Sequence, residues 1–197
     1  MVKEQSIFNY MVAPKGNRST SEISVDNGKL LLNTELQNHM YTNRIGTIVN
    51  MPLVREATEL KIGDEVILHH NVFRRFRDIK GIEKNSKNYY SEDIYFVQPD
   101  QIYAYKRNGS WNALENYCFV KPIKETKMFS NNFERPLIGV VKFGNDVIEE
   151  DSLVGFKPGA EYEFIIEGER LYRVPINLIT IKYEYQGDEE EYNPSWA

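Results

Sequence analysis

The chain has a single cysteine, Cys118, so no intrachain disulfide can form. Nothing in the opening Met1-Val2-Lys3-Glu4-Gln5 resembles a secretory signal. No apolar run approaches the ~20 residues that a membrane-spanning helix needs. Together these absences predict a soluble protein of a reducing cytoplasm, with no membrane partner. No stretch of about ten or more residues carries the stripe of an amphipathic helix. Histidine is scarce too: His39 stands far in sequence from His69 and His70, and that adjacent pair would point to opposite faces of a strand. No Cys or His spacing resembles a zinc site, so no metal is expected.

A Gly-rich phosphate loop, a nucleophile elbow and a paired-carboxylate motif are all missing. The chain is therefore not expected to be an enzyme, and neither a catalytic residue nor a cofactor is assigned. Positive charge is also in deficit. With 24 Lys and Arg against 29 Asp and Glu, the net charge of -5 argues against non-specific nucleic-acid binding by the chain as a whole.

Aromatic residues, by contrast, are plentiful. They make up 13% of the chain, with 13 Tyr and 10 Phe, a composition that suits strands better than helices. The fold class expected is all-β. A length of 197 residues fits one ordinary domain or two small ones, and an internal repeat decides for two.

The repeat is clearest around Lys61-Ile62-Gly63-Asp64-Glu65-Val66-Ile67-Leu68, where a Gly-Asp turn feeds a β-branched strand. Lys157-Pro158-Gly159-Ala160-Glu161-Tyr162-Glu163-Phe164 keeps Lys, Gly, Glu and the closing apolar residue at the same spacing. Upstream, Gly46-Thr47-Ile48-Val49 corresponds to Gly139-Val140-Val141, and Tyr10-Met11-Val12-Ala13-Pro14 to Cys118-Phe119-Val120-Lys121-Pro122. Downstream, the block from Pro99 to Lys106 corresponds to that from Pro175 to Lys182. These four blocks predict two copies of one β domain, at residues 1–107 and 111–187, followed by an acidic tail at 188–197. An acidic run such as Asp188-Glu189-Glu190-Glu191 is expected to be solvated.

Between the repeat blocks, the polar segment from Lys15 to Glu22 reads as a flexible loop. It leads to Leu30-Leu31-Leu32, three leucines that cannot all face one side of a strand. Either both faces are covered or at least one leucine waits for a partner. The second copy has Met128-Phe129 in the corresponding place. Arg74, Arg75, Arg77 and Lys80 interleave with Phe73 and Phe76, which predicts a strand with one wet face rather than a phosphate site. Cys118, beside Phe119, reads as a small buried hydrophobe.

A strand ending Val12-Ala13-Pro14, a polar loop with an aliphatic triplet, Gly46-Thr47-Ile48-Val49, the turn and strand from Lys61 to Leu68, and a closing Ile102-Tyr103-Ala104 resemble the GroES family of co-chaperonins. The tandem layout is similar to the family's double-domain form. The resemblance implies two tandem GroES-like irregular β-barrels that assemble into a homo-oligomeric ring. It implies a mobile loop that grips a chaperonin ring, with Leu30, Leu31 and Leu32, and Met128 and Phe129 in the second copy, as the partner-binding residues. The protein would then be a lid that assists protein folding. The alternative is a structural or assembly component of a phage particle, bound to phage structural proteins and located in the virion.

Overall fold

The computed structural model describes residues 5–16, 22–25, 28–31, 42–54, 59–125, 134–184, 187 and 189–194. The chain divides into two compact units, Met1–Gly109 and Ser110–Ala197. Among the described residues regular structure is almost wholly strand, with two short 3-10 turns, Pro99–Gln101 and Ile176–Leu178. No helix among them is long and apolar enough to cross a membrane.

The first unit contains β1 (Tyr10–Pro14), β2 (Glu22–Val25), β3 (Gly28–Leu31), β4 (Ile45–Asn50), β5 (Glu65–Leu68), β6 (Arg75–Arg77), β7 (Glu83–Asn85), β8 (Tyr89–Ser91), β9 (Ile94–Val97) and β10 (Ile102–Arg107). Six of these lie side by side in the order β10-β5-β4-β1-β9-β8, while β2-β3 and β6-β7 form separate two-stranded sheets. The second unit contains β11 (Ser110–Ala113), β12 (Tyr117–Lys124), β13 (Glu134–Phe143), β14 (Leu153–Phe156), β15 (Tyr162–Ile166), β16 (Glu169–Pro175) and β17 (Ile179–Tyr183). Its sheet runs β17-β14-β13-β12-β16-β15. Strand for strand, the two orders are the same.

The agreement extends to individual residue pairs. Met11 faces Asn50, and after a bulge Val12, Ala13 and Pro14 face Ile48, Thr47 and Gly46. In the second unit Phe119 faces Phe143, and after a bulge Val120, Lys121 and Pro122 face Val141, Val140 and Gly139. The closing strands repeat the pattern. Ile102 faces Leu68, Tyr103 is skipped, and Ala104 faces Ile67; Ile179 faces Phe156, Thr180 is skipped, and Ile181 faces Gly155. Bulges at matching places are a feature of the shared frame, since each bends its strand at a fixed point.

The register explains which residues recur. Val12 and Val120, Val66 and Val154, Tyr95 and Tyr172, and Val97 and Val174 occupy equivalent positions, and all are buried. Gly46 and Gly139 sit where β4 and β13 cross the preceding strand. A Cβ on Gly46 would lie 2.5 Å from Val12 Cγ1, and one on Gly139 would lie 2.4 Å from the Lys121 carbonyl oxygen. No real Cβ tolerates such contacts, so both crossings require glycine.

Three expectations are corrected. First, neither sheet closes into a barrel. Closure needs end strands that can pair with each other along a buried face, yet β8 is three residues long and wholly exposed, and the middle three residues of β17 are exposed.

Second, the turns at residues 61–64 and 157–160 are not equivalent. Residues 61–64 lead into β5, between β4 and β10, whereas 157–160 join β14 to the edge strand β15. The true counterpart of the first turn is residues 149–152. Gly63 donates its N–H to the Ile48 carbonyl at 2.8 Å, and Asp151 donates to the Val141 carbonyl at the same distance. Both residues have positive φ, +92° and +61°. Aspartate tolerates that conformation, so the glycine that marks the turn in one unit is absent from the other.

Third, the acidic side chains of Glu190 and Glu191 are exposed as expected, but the backbone that carries them is paired. Tyr192 donates its N–H to Pro122 O at 2.8 Å, Lys124 N–H donates to Glu190 O at 2.8 Å, and Glu191 bridges to Ile123. The reason is that β16 pairs with β12 only as far as Val120. The tail supplies hydrogen-bond partners for the rest of β12, and Lys124 and Lys142 meet Glu190 and Glu191 at the surface.

Candidate functional site

The long connection from β1 to β4 begins with Lys15, anchored by its N–H on Ile45 O at 2.9 Å and its ammonium on Glu65 at 2.7 Å. From Glu22 the chain is not a featureless loop. Apolar residues alternate with polar ones through Glu22-Ile23-Ser24-Val25, a strand pattern, and these residues form β2. They pair with β3 so that Val25 faces Gly28, Ile23 faces Leu30 and Glu22 faces Leu31. The connecting residues are Asp26 and Asn27, types that two-residue hairpin connections favour. Leu30 and Leu31 are thus placed in the second strand of a hairpin. Leu32, Met128 and Phe129 lie outside the described residues.

A second hairpin, β6-β7, occurs where the sequence suggests a single strand with one wet face. Its base is rooted in the core: Val72 and Phe73 are buried, Phe73 meets Tyr95 edge-on at 4.8 Å, and the Ser86 hydroxyl donates to Val72 O at 2.6 Å. Arg75 pairs with Glu83 across the strands. At the tip, the Asp78 carboxylate accepts the N–H groups of Lys80 and Ile82 at 2.9 and 3.0 Å. The Asp78 N–H donates to Ile82 O, and Gly81 N–H donates to Asp78 O, both at 2.9 Å. Phe73 therefore points into the protein while Phe76 is exposed.

Two further polar clusters among the described residues tie strands together. Arg170 in β16 binds Glu163 at 2.8 Å, and also Glu134 and the Tyr172 hydroxyl, tying β13, β15 and β16 together. Burial alone would lower the Arg170 pKa, but hydrogen bonds to the two glutamates outweigh it and hold the guanidinium firmly charged. Burial, then the bond to Glu134 at 2.7 Å, pushes the Tyr172 phenol up, so it remains protonated. In the first unit, Arg107 clasps Asp64, which also accepts the Lys61 N–H at 2.8 Å. Neither cluster follows from sequence spacing, because Arg107 lies 43 residues from Asp64 and Arg170 lies 36 from Glu134.

Cys118 is fully buried and its thiol is pushed up to about 12 by burial, so it packs as a neutral apolar group. His69 and His70 lie beyond the end of β5, where strand alternation no longer applies, and their rings stack at 4.2 Å. Among the described residues no group of three His, Cys, Asp or Glu is placed to hold a metal ion. Compared with known proteins, the chain matches no family model and no curated protein sequence.

Proposed function

We propose that the chain is a co-chaperonin-like lid: a tandem pair of GroES-like β units that docks on a chaperonin ring through the β2-β3 hairpin. The observation that carries this reading is where the leucines fall. The two units share one strand frame, and the first adds between its first two frame strands a hairpin with Leu30 and Leu31 on one strand. Docking of three leucines would contribute ~1.5 to 3 kcal/mol each before the ordering cost of the hairpin is subtracted. One hairpin alone binds weakly. Several on a homo-oligomeric ring bind firmly through effective concentration, and release together when the partner changes shape. Nucleotide hydrolysis belongs to the partner in this mechanism, and the lid supplies no catalytic group.

One observation favours a second reading. The leucine segment is already paired as a hairpin, which suits a permanent contact in an assembly such as a phage particle. A pulldown with a chaperonin in ATP or ADP separates the two. The lid reading expects nucleotide-dependent capture that Leu31→Asp abolishes. Absence of capture with either nucleotide, together with co-purification in particles, overturns it in favour of the structural role.

A further inference from the structure

The β6-β7 hairpin has a chemistry of its own. Residues 74–87 contain six basic side chains, Arg74, Arg75, Arg77, Lys80, Lys84 and Lys87, against two carboxylates, Asp78 and Glu83. The segment thus carries a formal charge of +4 in a chain of net charge -5. Apolar groups project among these cations: Ile79 is 100% exposed, Ile82 53% and Phe76 42%. The second unit passes from β14 to β15 by the short turn at 157–161, so the shared frame does not need this hairpin.

The tip is also rigid. Asp78 closes it with side-chain and backbone hydrogen bonds, and the Arg77 guanidinium donates to Gly81 O at 3.4 Å. A tip fixed before binding loses little conformational entropy on docking. We infer that the β6-β7 hairpin is a docking element for an acidic protein surface with an apolar cleft, in which Ile79 is the anchor and the surrounding cations meet carboxylates.

Charge and shape choose among occupants. The rest of the chain carries a formal charge of -9, so an extended polyanion such as an anionic bilayer or a nucleic acid attracts the hairpin but repels the body. Nucleic acid also offers bases that stack on aromatic rings, whereas the most exposed group here is an aliphatic isoleucine. A protein cleft rimmed by carboxylates satisfies both the apolar tip and the local charge, and complementarity over a small patch survives physiological salt.

The test uses the full chain and four probes: a helical peptide with a leucine face and a glutamate face, its leucine-lysine counterpart, phosphatidylglycerol vesicles, and single-stranded DNA. The acidic peptide should bind and the other three should not. Ile79→Ser and Lys80→Glu should each weaken binding about tenfold. Replacing residues 75–85 with a glycine pair should abolish it while the thermal unfolding curve of the second unit is unchanged. Absence of binding to the acidic peptide, equal binding of the lysine peptide, or preference for vesicles or DNA overturns the assignment. Leu31→Asp should leave binding intact, which separates this element from the proposed chaperonin contact.

Discussion

The two units share a frame and differ in everything attached to it. Strand order, bulge positions and the crossing glycine are common to both. Among the described residues, the first unit adds the β2-β3 and β6-β7 hairpins, whereas the second passes from β14 to β15 by a short turn at 157–161. Their polar fastenings differ as well. Asp64 and Arg107 clasp the first unit, Ser152 replaces that carboxylate in the second, and Arg170 and the tail fasten the second. The core tolerates exchanges that conserve bulk locally: Tyr10 and Met11 are matched by Cys118 and Phe119, which moves the aromatic ring by one position. Packing therefore fixes the frame, while the docking chemistry proposed above would reside in what one copy has added to it.

The sharpest way to break this comparison is at the strand crossings. Gly46→Ala and Gly139→Ala should each cost roughly 3 kcal/mol, the upper range for forcing atoms into a filled site. Gly155→Ala is the control. Its added Cβ would lie 3.2 Å from the Tyr183 ring, a side-chain contact that needs to give by only a few tenths of an ångström, and the cost should stay below about 1 kcal/mol. Urea unfolding checks this with two probes. Trp111 stacks on Phe143 of the second unit, so tryptophan fluorescence reports chiefly on that unit, while far-UV circular dichroism follows both. A mild effect at either glycine would mean that the shared register does not rest on close approach.

Those glycines also mark how far the sequence could be read. Blocks where backbones touch kept most of their identity: Val12 and Pro14 match Val120 and Pro122, and Gly46 matches Gly139, with Ala13 against Lys121 the exception. Turns carried less information, because Asp151 adopts the left-handed conformation that Gly63 supplies in the first unit. The closing strands were read one residue out of step. Spacing aligns Pro99 with Pro175, but the structure matches Pro99 with Ile176, the first residues of the two 3-10 turns. The hairpin bearing Leu30 was hidden by its polar surroundings, although Glu22-Ile23-Ser24-Val25 alternates as a strand should.

The polar fastenings offer a test of intermediate size. Asp64→Ser gives the first unit the residue that the second uses at this position. It removes a buried carboxylate from Arg107 and from the Lys61 N–H, at an expected cost of about 2 kcal/mol in the first unit's urea transition. The hydrogen bonds to Asp64 are the main influence holding the Arg107 guanidinium above its ordinary pKa; in the variant the arginine stays charged, keeps the Glu59 carbonyl and loses its carboxylate. An unchanged transition would show that serine suffices in both frames.

Removing residues 188–197 should have a smaller effect, about 1 to 2 kcal/mol, confined to the second unit. The Lys121 side chain, only 3% exposed, loses the Asn193 amide oxygen at 3.1 Å, and β12 loses its last backbone partners. The surface pairs of Lys124 and Lys142 contribute little to this, so the loss should barely change with added salt. Trp111, stacked on Phe143 at 5.9 Å, remains as the probe after Trp196 is removed. A loss that disappears in high salt would assign the tail's hold to ion pairs rather than to strand pairing.

The difference that stays silent at neutral pH follows from Cys118 standing where the first unit has Tyr10. Burial holds its pKa near 12 in the fold, against an ordinary value of 9.0. The folded state therefore keeps its proton where the unfolded state releases it. This contribution to stability is complete below pH 9, and it declines as pH rises from 9.0 towards about 12. The second unit should accordingly lose stability over that range, and Cys118→Ala should flatten this slope at the cost of a small cavity. The tryptophan-detected urea midpoint across alkaline pH measures it. A slope that persists in the alanine variant would assign the alkaline loss to another group of the second unit.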